Sequence, residues 1–127
     1  MKKSRTLIES FYYAFAGIAY AFRTQRNIRI HFFAGLLVAM LAYILEFTAF
    51  ELIMIFFTIS LVIIAEMINT AIEATVDLIT DKYHPLAKIA KNVAAGAVLI
   101  SAINAIIVGY IIFSNRYEII LQYFRLQ

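Results

Sequence analysis

Hydrophobic residues run along this chain in long blocks, with the few polar residues lying between the blocks or along one edge of them. The first block, from about Ile30 to Leu45, is broken only by His31 near its start. A second begins near Leu52, but its charge-free part, Leu52 to Ala65, has only 14 residues, short of the roughly 20 that a hydrocarbon core about 30 Å thick requires. Continuing that helix through Met67, Ile68, Ala71 and Ile72 supplies the length and carries Glu66, Asn69 and Glu73 to membrane depth or to its inner boundary. The third block, from about Val93 to Phe113, contains no charge. His84-Pro85 breaks the chain before it, because proline disfavours helix at the preceding residue. Ahead of all three, Phe11, Phe15, Ile18 and Phe22 recur at spacings of 4, 3 and 4. They form one apolar face that can lie in a headgroup layer while nearby basic residues stay wet.

The pattern predicts an all-α integral membrane protein with one membrane-embedded domain over 1–127. Three transmembrane helices are expected over about 30–48, 51–79 and 86–114, preceded by an amphipathic surface helix over about 5–28. Composition narrows this further. Of 127 residues, 64% are hydrophobic and 15% charged, with mean hydropathy +0.86, which excludes a large soluble catalytic domain. The absence of cysteine excludes disulfide frameworks, zinc–thiolate sites and thiol catalysis. One proline and four glycines argue against sheets, barrels and flexible linkers. A signal peptide is the competing reading of the basic start and of Ala14-Phe15-Ala16, but Glu9 interrupts the apolar stretch, and Arg23, Arg26 and Arg29 follow closely.

Charge gives an orientation. Lys2, Lys3, Arg5, Arg23, Arg26 and Arg29 precede the first span, and Lys82, Lys88 and Lys91 lie between the second and third. The connection between spans one and two holds Glu46 and Glu51 and no basic residue, so the amino terminus is expected in the cytoplasm. Arg116 and Arg125 depart mildly from that bias, while Tyr117, Tyr123 and Phe124 suit an interfacial tail.

The candidate chemistry lies on the second span. At about 100° per residue, Glu66, Asn69, Glu73 and Asp77 fall near 0°, 300°, 340° and 20°, one narrow face of a helix. An acid at the bilayer centre costs about 2.5 to 3.5 kcal/mol, so a row of acids there implies that something pairs or uses them. From Glu66 to Asp77 the helix rises roughly 16 Å, enough to give the site a lipid end and a water end. Carboxylates suit hard cations, and magnesium takes one or two of them together with nucleotide phosphate oxygens. The adjacent segment from Asp81 to Asn92 supplies Lys82, His84, Lys88 and Lys91 as donors suited to phosphate, although ordinary positive-inside charge accounts for such lysines as well. Hydrogen bonding to a neighbouring helix is the structural alternative for any one member of the acidic stripe.

Other patterns are missing or unspecific. There is no P-loop and no glycine-rich dinucleotide fingerprint, so a nucleotide needs an unconventional all-helical site. No nucleic-acid pattern stands apart from the membrane topology. His31 and His84 lack a third ligand at zinc spacing. Met40, Met54 and Met67 read as packing on the spans. On the third span Ala97, Ser101, Ala105 and Gly109 recur every four residues, which either admits another helix or faces lipid. Three spans cannot fully shield a polar stripe, so a homo-oligomer with sites between subunits is the economical solution.

The run Glu66-Met67-Ile68-Asn69-Thr70-Ala71-Ile72-Glu73, then Asp77, His84-Pro85-Leu86-Ala87-Lys88 and Lys91-Asn92-Val93-Ala94-Ala95-Gly96-Ala97, closely resembles the prokaryotic diacylglycerol kinase family. The resemblance spans nearly the whole chain. His-Pro-Leu-Ala-Lys and the earlier Arg26-Asn27-Ile28-Arg29-Ile30-His31 look like the Gram-positive branch, whose members act chiefly as undecaprenol kinases. It implies a homotrimeric enzyme of the bacterial cytoplasmic membrane that uses ATP and Mg²⁺ to phosphorylate a lipid hydroxyl. By position, Glu66 matches the family's proposed general base and Glu73 a metal-ligating glutamate. Asn69 and Asp77 match polar residues that order the site, Lys91 a phosphate-facing lysine, and Tyr13, Lys82, Tyr83 and His84 nucleotide contacts.

Two positions depart from the family pattern. Gln25 stands where the family usually has a glutamate expected to share the metal, and Asn92 where it usually has an aspartate. An amide oxygen is a weaker, neutral ligand for a hard cation, so reduced metal affinity or turnover is expected. The expected function is therefore an undecaprenol kinase. Diacylglycerol is the alternative acceptor, a weakened family member acting as scaffold or sensor is a second alternative, and a cation or proton path along the acidic stripe is a third.

Overall fold

The computed structural model describes residues 6–125, and its secondary structure is entirely helical there. Lys2, Lys3 and Arg5 lie outside the described residues, as does the side chain of Tyr123. The helices are α1 (Leu7–Thr24), α2 (Arg26–Ile44), α3 (Ala49–Ile79), α4 (Pro85–Ser114) and α5 (Tyr117–Arg125). Among them α2, α3 and α4 are long and apolar enough to cross a membrane. The chain is an all-α, multi-pass membrane protein.

Local sequence explains where these helices start. Thr6 caps α1 in a reciprocal pair with Glu9, and Thr48 caps α3 in the same way with Glu51, each satisfying backbone N–H groups that a helix start leaves unpaired. His84 caps α4, and Pro85 occupies its first turn, where a missing N–H does no harm. The chain turns from α1 to α2 at Gln25, which is extended. Across that turn, Arg29 Nη1 donates to the carbonyls of Phe22 and Arg23 at 3.1 and 2.9 Å, closing the carboxyl end of α1. Most of α1 is exposed, including Phe11, Phe15 and Ile18. Its Phe22 packs edge-on against Phe32 of α2 with ring centroids 5.4 Å apart.

Packing is concentrated between α3 and its two neighbours. Gly35 lets α2 come close, because a Cβ there would sit 2.9 Å from Cγ2 of Ile59. Of the small residues of α4, Ala97 is exposed and Ser101 buried, while Ala105 and Gly109 line a cavity of about 140 Å³ with His31, Thr58 and Phe113. At one end of the bundle Ala42, Leu45, Phe47, Ile55 and Ile112 form a core, with Met54 and Ile120 packed on it. Ile120 belongs to α5, a helix that the sequence reading treats only as a tail. At the same end Glu46 adopts φ 51°, a left-handed turn rare for a residue with a side chain.

Arg116 ties this end together. Its Nε donates to Glu51 Oε1 at 3.1 Å, its Nη2 to Glu51 Oε2, and its Nη1 to the Leu45 carbonyl at 2.6 Å. The Glu51 hydrogen bond holds the guanidinium pKa above its ordinary value. The residue that looked like an exception to the charge bias is thus half of an ion pair.

Candidate functional site

The four polar residues of the α3 stripe occupy three different environments. Glu66 is 2% exposed. Its Oε1 lies 3.6 Å from Nε2 of His31 on α2, and among the described residues it accepts no hydrogen bond. One turn on, Asn69 Nδ2 donates to Glu73 Oε1 at 3.2 Å, while Asn69 Oδ1 is also buried without a donor. Asp77, on the wet side, meets Lys91 Nζ of α4 at 2.5 Å. The stripe therefore passes from a buried carboxylate through a half-buried amide–carboxylate pair to an open ion pair.

At the Asp77 end, α3 and α4 diverge around an open cavity of about 680 Å³. It is lined by Asp77, Asp81, Lys82, Tyr83, His84, Lys88, Lys91 and Asn92 among others. His84 Nδ1 accepts from the Leu86 N–H at 3.2 Å, so the neutral ring carries its proton on Nε2. The amino terminus of α4, with no acid in its first turn, adds partial positive charge beside the three lysines. The three lysines and the helix terminus supply donors suited to phosphate on a lining that also carries the carboxylates of Asp77 and Asp81.

An apolar cleft of about 520 Å³ opens between α1, α2 and α3, lined by Phe15, Phe22, Ile28, Phe32, Ile63 and Met67 among others. Ile63 and Met67 flank Glu66 along α3. A metal ion has a partial donor set. No three His, Asp or Glu side chains converge as a cage among the described residues. Glu73, with the unsatisfied Asn69 Oδ1 beside it, fits a magnesium that arrives with nucleotide phosphates, since that ion needs only one or two carboxylates from protein.

Of the residues expected at the site, Asp77, Lys82, Tyr83, His84, Lys91 and Asn92 line one cavity, and Glu66, Asn69 and Glu73 continue from it along α3. Tyr13 and Gln25 are not in its lining. Tyr13 is exposed on α1 with its ring edge-on to Tyr12, and Gln25 is half-buried at the α1–α2 turn. His31 is legible in the sequence as a break in the first apolar block and as part of the Arg26-Asn27-Ile28-Arg29-Ile30-His31 segment, but its approach to Glu66 has no local signal. Two Thr-x-x-Glu boxes, at Thr6 and Thr48, were readable and mark the starts of α1 and α3.

The family model for prokaryotic diacylglycerol kinase matches residues 12–113. The chain belongs to that family. Its members are membrane lipid kinases with ATP as phosphoryl donor. A diacylglycerol kinase of Synechocystis is 53% identical over 104 residues, 81% of this chain and 59% of that protein, so the chain spans less than two thirds of that relative's length. An undecaprenol kinase of Bacillus subtilis is 46% identical over 105 residues, 83% of this chain and 85% of its own. A diacylglycerol kinase of Escherichia coli is 32% identical over 111 residues, 87% of this chain and 91% of its own. The family match ends before α5 begins.

Proposed function

We propose that this protein transfers the γ-phosphate of ATP to the hydroxyl of undecaprenol, making undecaprenyl phosphate at the cytoplasmic face of the bacterial inner membrane. The observation that carries the reading is the gradient along α3. A buried carboxylate with an unsatisfied oxygen lies beside an apolar cleft, and one helix face leads from it to a cation-lined cavity. Such an arrangement suits a reaction that joins an alcohol in lipid to a triphosphate in water.

Glu66 is the general base. As the alcohol oxygen forms its bond to the γ-phosphorus, Glu66 takes the hydroxyl proton, the bond from phosphorus to the bridging oxygen breaks, and ADP leaves. Lys82, His84 and Lys91 hold the phosphates, Tyr83 and Asn92 border the nucleotide, and Asp77 orients Lys91 through their ion pair. The Lys91 ammonium has three donors, so pairing with Asp77 leaves capacity for a phosphate oxygen. Glu73, with Asn69 Oδ1 beside it, would hold a magnesium ion, which would supply charge neutralisation for the phosphates. Phosphoryl transfer asks little covalent chemistry of protein, so positioned charge suffices without a P-loop.

Tyr13 and Gln25, which lie outside the cavity lining of their own chain, join the site if, as proposed, the protein is a homotrimer with sites between subunits. Gln25 supplies a neutral oxygen where a second carboxylate would hold the metal better, so Gln25→Glu is expected to lower the magnesium concentration needed for half-maximal rate. The charge bias between the connections supports an amino terminus and a cavity on the cytoplasmic side.

Undecaprenol is supported by the Bacillus subtilis relative, whose length this chain nearly spans. Diacylglycerol is the second reading, favoured by the name of the Synechocystis relative. The test is to give the reconstituted full-length protein labelled MgATP with each lipid in turn. Faster labelling of undecaprenol is expected; faster labelling of diacylglycerol overturns the acceptor, and labelling of neither overturns the kinase.

A further inference from the structure

We infer that His31 is a positioning residue for Glu66: its ring holds one oxygen of the buried carboxylate so that the other faces the lipid hydroxyl. This rests on the proposed role of Glu66 as base. A carboxylate at membrane depth needs a hydrogen-bond donor to remain ionised. Among the described residues Glu66 Oε1 has none, and His31 Nε2 stands 3.6 Å away, a few tenths of an ångström outside bonding range. Hydrogen bonds of a catalytic group are commonly long before substrate arrives and tighten when it does.

The backbone around His31 fixes its place. Ile28 and Gly35, nearly one turn before and one turn after, are both buried on α2, and Gly35 sets how closely α2 approaches α3 at Ile59. The His31 side chain is 30% exposed, so its ring spans from the interior to the bundle surface. The purely structural acid–base pair of this molecule, Glu51 with Arg116, is closed at two points. The His31–Glu66 pair is open. During transfer the proton moves from the alcohol oxygen to the free oxygen of Glu66; His31 neither gains nor loses one, and its Nε2–H stays on Oε1.

The experiment compares His31→Leu with His31→Gln, whose amide N–H lies close to the position of Nε2. For His31→Leu, kcat should fall about 10- to 100-fold with KM for MgATP unchanged, the effect expected when a base is misplaced but the nucleotide groups are intact. His31→Gln should recover most of that loss, and His31→Leu should cost nothing further in a Glu66→Gln background. A second measurement needs no turnover. The chain has two histidines, so ring ¹⁵N spectra of the wild-type protein and Glu66→Gln should differ at His31 and coincide at His84. Wild-type kcat in His31→Leu, no rescue by Gln, or an unmoved His31 signal overturns the inference. A wild-type protein that phosphorylates no lipid overturns the base reading instead, and the ring spectra then judge the contact alone. If His31→Leu does not fold, the Gln variant and the spectra decide.

Discussion

The two ends of this bundle treat buried polar groups in opposite ways. At the closed end Arg116 reaches both Glu51 oxygens and the Leu45 carbonyl, and lies 4.8 Å over the Phe47 ring. Glu51 also accepts from the Thr48 N–H and hydroxyl, each at 2.8 Å. At the open end Glu66 Oε1 and Asn69 Oδ1 are buried with no donor. Folding stability favours the first arrangement, since an unpaired buried polar atom is destabilising. Polar groups that only join helices therefore have their bonds filled by the fold, whereas those of the proposed site keep bonds that remain to be completed, Glu66 Oε1 by the nearby His31 and Asn69 Oδ1 by a bound partner.

The sharpest way to break this contrast is Glu66→Gln. It keeps the shape and removes the basicity, so turnover should fall by about 10² to 10⁴-fold, while the thermal midpoint in detergent should stay level or rise because an unsatisfied charge has gone. A variant that keeps its turnover, or unfolds, would place Glu66 among the structural groups. Lys91→Met should act more mildly. Its partner Asp77 has a 64% exposed side chain, so the pair contributes little to stability. KM for MgATP should rise about tenfold, the loss of one charged phosphate contact, with kcat and thermal midpoint nearly unchanged. At the closed end the readouts exchange. Arg116→Met strands Glu51 and the Leu45 carbonyl, so the thermal midpoint should drop by several degrees, with KM for MgATP as in wild type. A changed KM with an unchanged midpoint would mean that the two ends are coupled.

Much of the open end was legible in the sequence because its information is local. Glu66, Asn69, Glu73 and Asp77 share a face through helical periodicity alone, and His84-Pro85 marks the start of α4 through the dihedral limits of proline. The closed end was less legible. Glu51 and Arg116 are 65 residues apart, and no periodicity brings them together; only the length and packing of α3 and α4 do. The pairing of His31 with Glu66 was hidden for the same reason. Helix α5 has an explanation too: Asn115 and Arg116 interrupt the apolar run, and Ile120 then packs back on the core, a tertiary contact that a short amphipathic segment does not announce.

The smallest expected effect probes what links the ends, since α2 carries both His31 and the buried Ala42. Gly35→Ala adds a methyl 2.9 Å from Ile59 Cγ2, an overpacking that costs about 1 to 3 kcal/mol. The same change gains about 0.8 to 1 kcal/mol of helix propensity. The gain offsets part of the cost, so stability should fall by no more than about 2 kcal/mol. The displacement does not cancel, because α2 must move away from α3 one turn from His31. The fall in kcat should therefore exceed what the stability change suggests, with KM for MgATP unchanged. Ile59→Ala in the same chain removes all three side-chain atoms nearest the new methyl, and should restore kcat. Restored stability without restored kcat would mean that the spacing of α2 and α3 does not set the geometry at Glu66.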